Sequence, residues 1–329
     1  MYDLVEMMTY KRPQGSDTQK EFCNKYLEPI MGLPDQYGNY VTVVGNRPEV
    51  CFTAHHDTVH KTSGRQKLAV TKDGIVSLKR KDKGECLGAD CTTGIWLICN
   101  MINAKVPGVY VIHAEEESGC VGSKSLVDTN PHWLDHVNYV ISFDRYGKKS
   151  IITHQMGRRT ASDKFAKLLA KTLELPLKPD PNGSYTDSNV YKSKVSECTN
   201  VSVGYYSQHS TEENQDIVYA YKLLSSLVSA DWDQLQYYRD NTVVEMGSMY
   251  GDWYDDDDYF FGYPPRGYRY DIDPRKFETG DNRIYDMIVD YPEEVALLLE
   301  ELGYTADELH EMLGIQDHGY INEYLERVS

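Results

Sequence analysis

The chain sets its metal-capable side chains directly after short apolar runs. "VCFTAHHDTVH" delivers His55, His56 and Asp57, and "YVIHAEEESGC" delivers Glu115, Glu116 and Glu117. "YVISFDRYG" reaches Asp144, "VSVGYYSQHSTEE" reaches His209, and Asp90 stands in "CLGADCTTG" just ahead of a helical stretch. His55 and His209 with several carboxylates, and no thiolate among them, suit Zn²⁺, Mn²⁺ or Co²⁺ at a hydrolytic site better than a closed structural site of four cysteines. Two ions about 3.5–4 Å apart need one bridging carboxylate, with terminal histidine and carboxylate ligands for each. The inventory suffices for that. Three consecutive glutamates are costly to bury without compensating cations, so "EEE" at a strand end asks for nearby positive charge. Singly, each residue has a plain alternative: His55 and Asp57 could finish a strand, Asp144 could cap a loop, and His209 could be solvated. Together they supply the ligands that a metal site needs.

Such a set must be held by a scaffold, and the surrounding pattern supplies one. Apolar runs rich in β-branched and aromatic residues recur at 40–44, 49–54, 108–114, 137–143 and 199–206, and read as buried strands. Between them, "TTGIWLICNMI", "GSKSLVDT", "ASDKFAKLLAKTL" and "EENQDIVYAYKLLSSLVS" read as helices, as does "SDTQKEFCNKYL", with Ser16 and Gln19 in capping-box positions. Alternation of this kind predicts an α/β fold with a mostly parallel, mixed central sheet flanked by helices. Ligands collect at the carboxyl ends of the parallel strands in such folds. Every candidate side chain falls at that end.

Composition bounds the rest. The 329 residues, 40% of them apolar, allow one large domain or a domain plus an appendage. The formal charge of −17 is local: residues 246–329 hold 21 acidic and 6 basic residues, leaving 30 against 28 in residues 1–245. An acidic surface repels phosphate backbones, which argues against nucleic acid as a partner. The N-terminus lacks a basic segment followed by an apolar one, and no apolar run approaches the ~20 residues of a membrane span, so the reading is cytoplasmic, with no membrane partner. Seven scattered cysteines without paired spacing read as reduced thiols packed as small apolar residues. The expected organisation is a catalytic domain over 1–245, an acidic linker rich in Tyr, Asp, Gly and Pro over 246–282, and a small helical unit over 283–329. That last unit is either a packing appendage or a module for a protein partner.

The motifs "HHDTV", "GADCTTG", "EEESGCVGS", "FDRYG", "YTDSNVY" and "QHSTEE", in this order, resemble those of the co-catalytic di-zinc exopeptidases, the M20 and M28 metallopeptidase families of one clan. The match spans roughly residues 35–220. The resemblance implies one metal ion on His55, Asp90 and Asp144, and a second on Asp90, Glu117 and His209, with Asp90 bridging. It implies Glu116 as the general base toward a metal-bridging water and Asp57 as the group that orients His55. His56 occupies the variable position of His-x-Asp and is not expected to ligate. Two departures stand out. The interval between Asp144 and His209 leaves no room for the lid and dimerisation domain usual in M20 enzymes, so substrate contacts must come from local loops, the tail or a second subunit of a homo-oligomer. Cys91 stands where these families often carry Asp or Asn, and a neutral packing role is expected of it.

The implied activity is zinc-dependent hydrolysis of a terminal amide bond, aminopeptidase-like, on a peptide. The alternatives are an N-deacylase acting on N-acyl amino acids, a carboxypeptidase of the same chemistry, and a non-catalytic scaffold working through its acidic tail. Arg158 and Arg159 could fork onto a substrate carboxylate, as carboxypeptidase specificity requires, or form a plain surface pair. Tyr185, Thr186 and Asp187 lie in a motif that resembles the family's active-site loop, which makes Tyr185 and Asp187 candidate substrate contacts.

Overall fold

In a computed structural model, residues 2–46, 48–79, 85–129 and 134–241 are described. The chain divides into the units Met1–Gly247 and Ser248–Ser329, and the described residues belong to the first. The expected linker and helical unit lie outside them.

The strands Val50–His55 and Gly108–His113 are buried at every position, as continuous apolar sequence demands of strands covered on both faces. They are neighbours in a seven-stranded sheet ordered Lys178–Asp180, Ser150–Ile152, Glu197–Ser202, Tyr139–Arg145, Val50–His55, Gly108–His113, Tyr40–Val44. The four strands from Glu197–Ser202 to Gly108–His113 run parallel, while Tyr40–Val44 pairs antiparallel at one edge and Ser150–Ile152 pairs antiparallel beyond Glu197–Ser202. This is the expected mixed, mostly parallel α/β sheet. Its register sets the site: His55 lies opposite His113, and Thr53 opposite Ser142, so the residues following each strand emerge side by side at one end.

Side-chain alternation splits the core into two layers. Phe52, Tyr110, Ile112 and Ile141 face one layer with the helix Ala89–Asn103, while Cys51, Val109, Val111 and Val140 face the other with Leu126 and Tyr191. The helix Ala89–Asn103 lies hard against the sheet because of Gly94. A Cβ there would stand 2.3 Å from the Phe143 carbonyl oxygen and 3.0 Å from the Ala54 Cβ.

Helices also form at Asp17–Tyr26, Val121–Thr129, Asp163–Thr172 and Ile217–Ser229. Ser16 caps the first by accepting the Gln19 N–H, but the Gln19 side-chain Oε1 accepts from the Gly15 N–H rather than that of Ser16, a one-residue variation on the capping box. The stretch expected as one helix from residue 212 is instead a strand, Asn214–Asp216, followed by the helix. The strand belongs to a four-stranded antiparallel sheet with Tyr205–Tyr206, Ile75–Leu78 and Leu68–Val70. Local polarity hid it, because pairing with Ile75–Leu78 rather than intrinsic preference creates the strand. All seven cysteines are free and buried. Among the described residues no helix is long and apolar enough to cross a membrane.

Candidate metal centre

His55 ends its strand almost fully buried, with Nδ1 3.4 Å from Asp57 Oδ1 and Nε2 4.0 Å from Asp144 Oδ1. Asp57 does more than face this ring. Its Oδ1 accepts the Glu116 N–H and its Oδ2 the Glu117 N–H, each at 3.1 Å. The chain reaches that position because Glu115 adopts φ 56°, a left-handed conformation that turns the backbone off the strand Gly108–His113. The Glu115 side chain turns elsewhere and accepts from Gln14 at 3.0 Å.

Asp90 sits in the first turn of the helix Ala89–Asn103, buried, with Oδ1 accepting the Cys91 N–H at 2.8 Å. His209 Nε2 lies 2.8 Å from Asp90 Oδ2 and 3.1 Å from Glu117 Oε1. His209 itself has φ 58°, as does Ser207, so the loop carrying it is locally strained. Three groups of potential ligand atoms result, each with all atoms within 4.8 Å of one another: His55–Asp90–Asp144, Asp90–Glu117–His209 and His55–Glu116–Glu117. The first two share Asp90, in the same grouping that the motif resemblance implies.

The centre carries more negative charge than its own side chains balance. Burial, then Asp144 and Asp187, push Glu116 up to about 9 despite the opposing pull of His55. Asp144 is pushed up to about 8 by burial, with Asp90 and Glu117 adding repulsion. Burial opposes ionisation of Asp90 too, yet its hydrogen bond with His209 holds it down at about 2. The same bond, with that to Glu117, lifts His209 to about 11. Burial disfavours a charged His55, but Asp57, Glu116 and Asp144 outweigh it and raise its pKa well above the usual histidine value. Among the described residues, two buried atoms, His55 Nδ1 and Glu117 Oε1, meet no polar partner beyond the charged groups of the centre itself, Asp57 at 3.4 Å and His209 at 3.1 Å. Surplus carboxylates, two imidazoles drawn into them and these two buried atoms together fit a donor set for divalent cations.

The remaining candidates sort by contact. His56 is buried with its ring nitrogens 2.9 Å from Gln19 Nε2 and 3.1 Å from the Gly38 carbonyl, and burial lowers it to about 4, a neutral structural ring. Burial pushes the Cys91 thiol up to about 12, and its Sγ accepts from the Arg12 guanidinium at 2.8 Å. Arg159 donates to Asp163 at 2.9 Å and to the Ala161 carbonyl, while Arg158 stands close enough to Lys192 to help burial depress its pKa. Neither arginine has a described bond to the centre. Tyr185 is exposed, with Lys124 5.7 Å from its ring centroid. Asp187 is buried, its Oδ1 has no hydrogen-bond partner among the described residues, and its charge raises both Glu116 and Asp144.

Two contributors escaped the sequence reading. Arg12, fully buried, donates to the His56 carbonyl and to Thr92 and stacks on Phe22 at 4.1 Å, with nothing in "YKRPQ" to mark it. Glu213 binds the backbone ahead of Asp90. It stands beside Glu212 in "QHSTEE", and sequence alone gave no means of choosing between the two.

The architecture is shared with solved aminopeptidases. The aminopeptidase PepT of Bacillus cereus and a tripeptidase of Staphylococcus aureus each match with a TM-score of 0.54 at 15% identity, over 68% of this chain and 95% of theirs. The TET1 peptidase of Pyrococcus horikoshii, which can assemble into a tetrahedron or a large octahedral shell, matches with a TM-score of 0.50 at 14% identity, over 70% of this chain and 100% of its own. No family model matches the sequence, and no curated protein does. The chain thus has the aminopeptidase-like α/β fold that the motif series implies. Its chemistry rests on the side chains themselves.

Proposed function

We propose that the chain is a cytoplasmic, metal-dependent exopeptidase of aminopeptidase type, hydrolysing a terminal amide bond of a peptide. The carrying observation is the pair of triads, His55–Asp90–Asp144 and Asp90–Glu117–His209, with Asp90 in common. Two divalent ions held there, Zn²⁺ with Mn²⁺ or Co²⁺ as substitutes, would supply the acidification of a water molecule and the polarisation of the scissile carbonyl. The protein's own groups handle the proton and the geometry. Glu116, ionised once positive charge fills the triads, takes the water's proton on its carboxylate and returns it to the leaving amine. Asp57 steers the His55 ring and pins the backbone of Glu116 and Glu117, so base and ligand keep one spacing.

The free amino terminus is favoured by Asp187, whose buried oxygen, unpartnered among the described residues, lies near Glu116 and suits an ammonium group, whereas Arg159 is already engaged by Asp163. Residues 1–245 form the catalytic domain in this reading, with 246–282 a linker and 283–329 a small helical unit, either a packing appendage or a module for a protein partner. The assembly habit of the TET1 peptidase supports a homo-oligomer here, in which neighbouring subunits complete the substrate cleft.

The test is metal analysis of the purified protein joined to digestion of peptides with free, amino-blocked and carboxy-blocked ends. Up to two ions per chain, loss of activity to chelators, and cleavage restricted to free amino termini are expected. Full activity without metal would refute the mechanism. Cleavage of amino-blocked substrates would move the reading to a deacylase or carboxypeptidase.

A further inference from the structure

The helix that carries Asp90 begins without a side-chain cap of its own. Gly88 occupies the cap position in the left-handed region, at φ 69° and ψ 37°, and has no side chain to offer the free N–H groups of the first turn. Glu213 reaches the start of the helix from more than 120 residues away and takes one first-turn N–H, that of Ala89, with the two N–H groups just ahead of it. Its Oε2 accepts the Leu87 and Gly88 N–H groups at 2.7 and 2.9 Å, and its Oε1 accepts the Ala89 N–H at 2.8 Å. The carboxylate is fully buried, and all three donors converge on it.

Glu213 is also the end of the loop that presents His209. The Glu213 N–H donates to the Ser210 carbonyl at 3.1 Å, and the Ser210 hydroxyl donates to the Ser207 carbonyl at 2.7 Å, closing a turn around His209. Two residues on, the Gln215 side-chain oxygen accepts the Thr93 hydroxyl at 2.7 Å, a second tie to the same helix. His209 and Asp90 thus stand on two segments bolted together at Glu213, and their side chains meet at 2.8 Å.

We infer that Glu213 is a positioning residue for the Asp90–Glu117–His209 triad: it fixes the His209 loop to the start of the Asp90 helix, and so sets the affinity of that triad for its ion. The His55–Asp90–Asp144 triad shares only Asp90 with this strut, and its other two members come from the strands Val50–His55 and Tyr139–Arg145. The inference rests on the two-ion reading of the centre.

The experiment is calorimetric and spectroscopic titration of the metal-stripped full chain with Co²⁺, comparing wild type, Glu213→Gln and Glu213→Asp. Wild type should take up two ions in separable steps. Glu213→Gln sets an amide N–H against backbone donors and should weaken one of the two steps by roughly 10- to 100-fold, while the other changes by no more than about twofold. Glu213→Asp, which keeps the charge with a shorter reach, should recover part of the loss. Unchanged uptake of both ions with only a lower melting temperature overturns the positioning role, and so does equal weakening of both steps. If Glu213→Gln does not fold, Glu213→Asp decides by the same two criteria. Failure of wild type to bind Co²⁺ sinks the two-ion reading itself, a result distinct from either.

Discussion

Asp57 and Glu117 are joined through the backbone: Asp57 Oδ2 accepts the Glu117 N–H at 3.1 Å, while Oδ1 accepts the Glu116 N–H and lies 3.4 Å from His55 Nδ1. One buried carboxylate therefore coordinates the placement of a ligand ring, a base and a second ligand. Replacing Asp57 with Asn turns one acceptor into a donor facing an N–H or an imidazole. We expect metal affinity to fall roughly 10- to 100-fold, with turnover falling further because Glu116 moves too. A variant with wild-type metal content and rate would remove Asp57 from the machinery.

Within "EEE" the three positions should separate. Glu116→Gln keeps shape but cannot take a proton, so the rate should drop by the ~10² to 10⁴ typical of losing a general base while metal content holds. Glu117→Gln should lower occupancy of the Asp90–Glu117–His209 triad along with the rate. Glu115→Gln should do least, since that side chain meets Gln14 instead. Metal content and turnover on the three variants decide the assignment; a Glu116→Gln protein that loses its ions would shift it by one residue.

The sheet and the metal-capable residues were legible because each signal was local. Strands such as Val50–His55 are unbroken apolar runs, and the candidates follow them directly. What escaped was carried by distant partners. The Asn214–Asp216 strand is polar and exists through its neighbours in the small sheet. Glu213 looks like any loop acid until the Leu87, Gly88 and Ala89 N–H groups are seen around it. Arg158 and Arg159 show the limit of a local signal in another way, since a paired arginine motif invites a substrate carboxylate, while the partner that Arg159 has in the fold, Asp163, stands four residues on.

Gly94 offers a test that touches no ligand. Gly94→Ala places a methyl group 2.3 Å from the Phe143 carbonyl oxygen, so the helix Ala89–Asn103 must lift from the sheet and take Asp90 with it. Overpacking of this kind costs about 1–3 kcal/mol. Thermal unfolding should register that loss, and metal affinity should fall in the same variant. A stable Gly94→Ala protein with full affinity would contradict the close packing.

Asp180 gives a pH dependence away from the centre. Burial opposes its ionisation, but the Ser150 hydroxyl, the Asn182 N–H groups and Arg145 hold its pKa below the usual carboxylate value. A depressed folded-state pKa contributes stability above the unfolded value near 3.9, and this is lost as pH falls through the folded one. Asp180→Asn should therefore be less stable than wild type by about 1–2 kcal/mol at pH 7, with the gap closing below about pH 4. Melting curves at the two pH values check the sign.

The last prediction concerns where the catalytic domain can be cut. Glu197 is fully buried, with no ion pair among the described residues, and its carboxylate accepts the Ser162 N–H and hydroxyl at 2.6 and 2.9 Å and the Tyr238 and Arg239 N–H groups at 2.7 and 3.0 Å. The Arg239 guanidinium in turn donates to the carbonyls of Lys192, Val195 and Ser196. Residues 238–239 thus strap the start of the strand Glu197–Ser202, and half of the donors to a buried charge come from them. A chain ending after residue 245 retains the strap and should keep its fold, its metal and its activity on a small peptide. A chain ending after residue 234 strips two donors from a buried carboxylate, each worth about 1.5–3 kcal/mol to a charged group, and should melt well below the longer one. Replacing Glu197 with Gln in the longer chain should reproduce part of that loss. Equal melting temperatures for the two truncated chains would show that the domain ends before the strap.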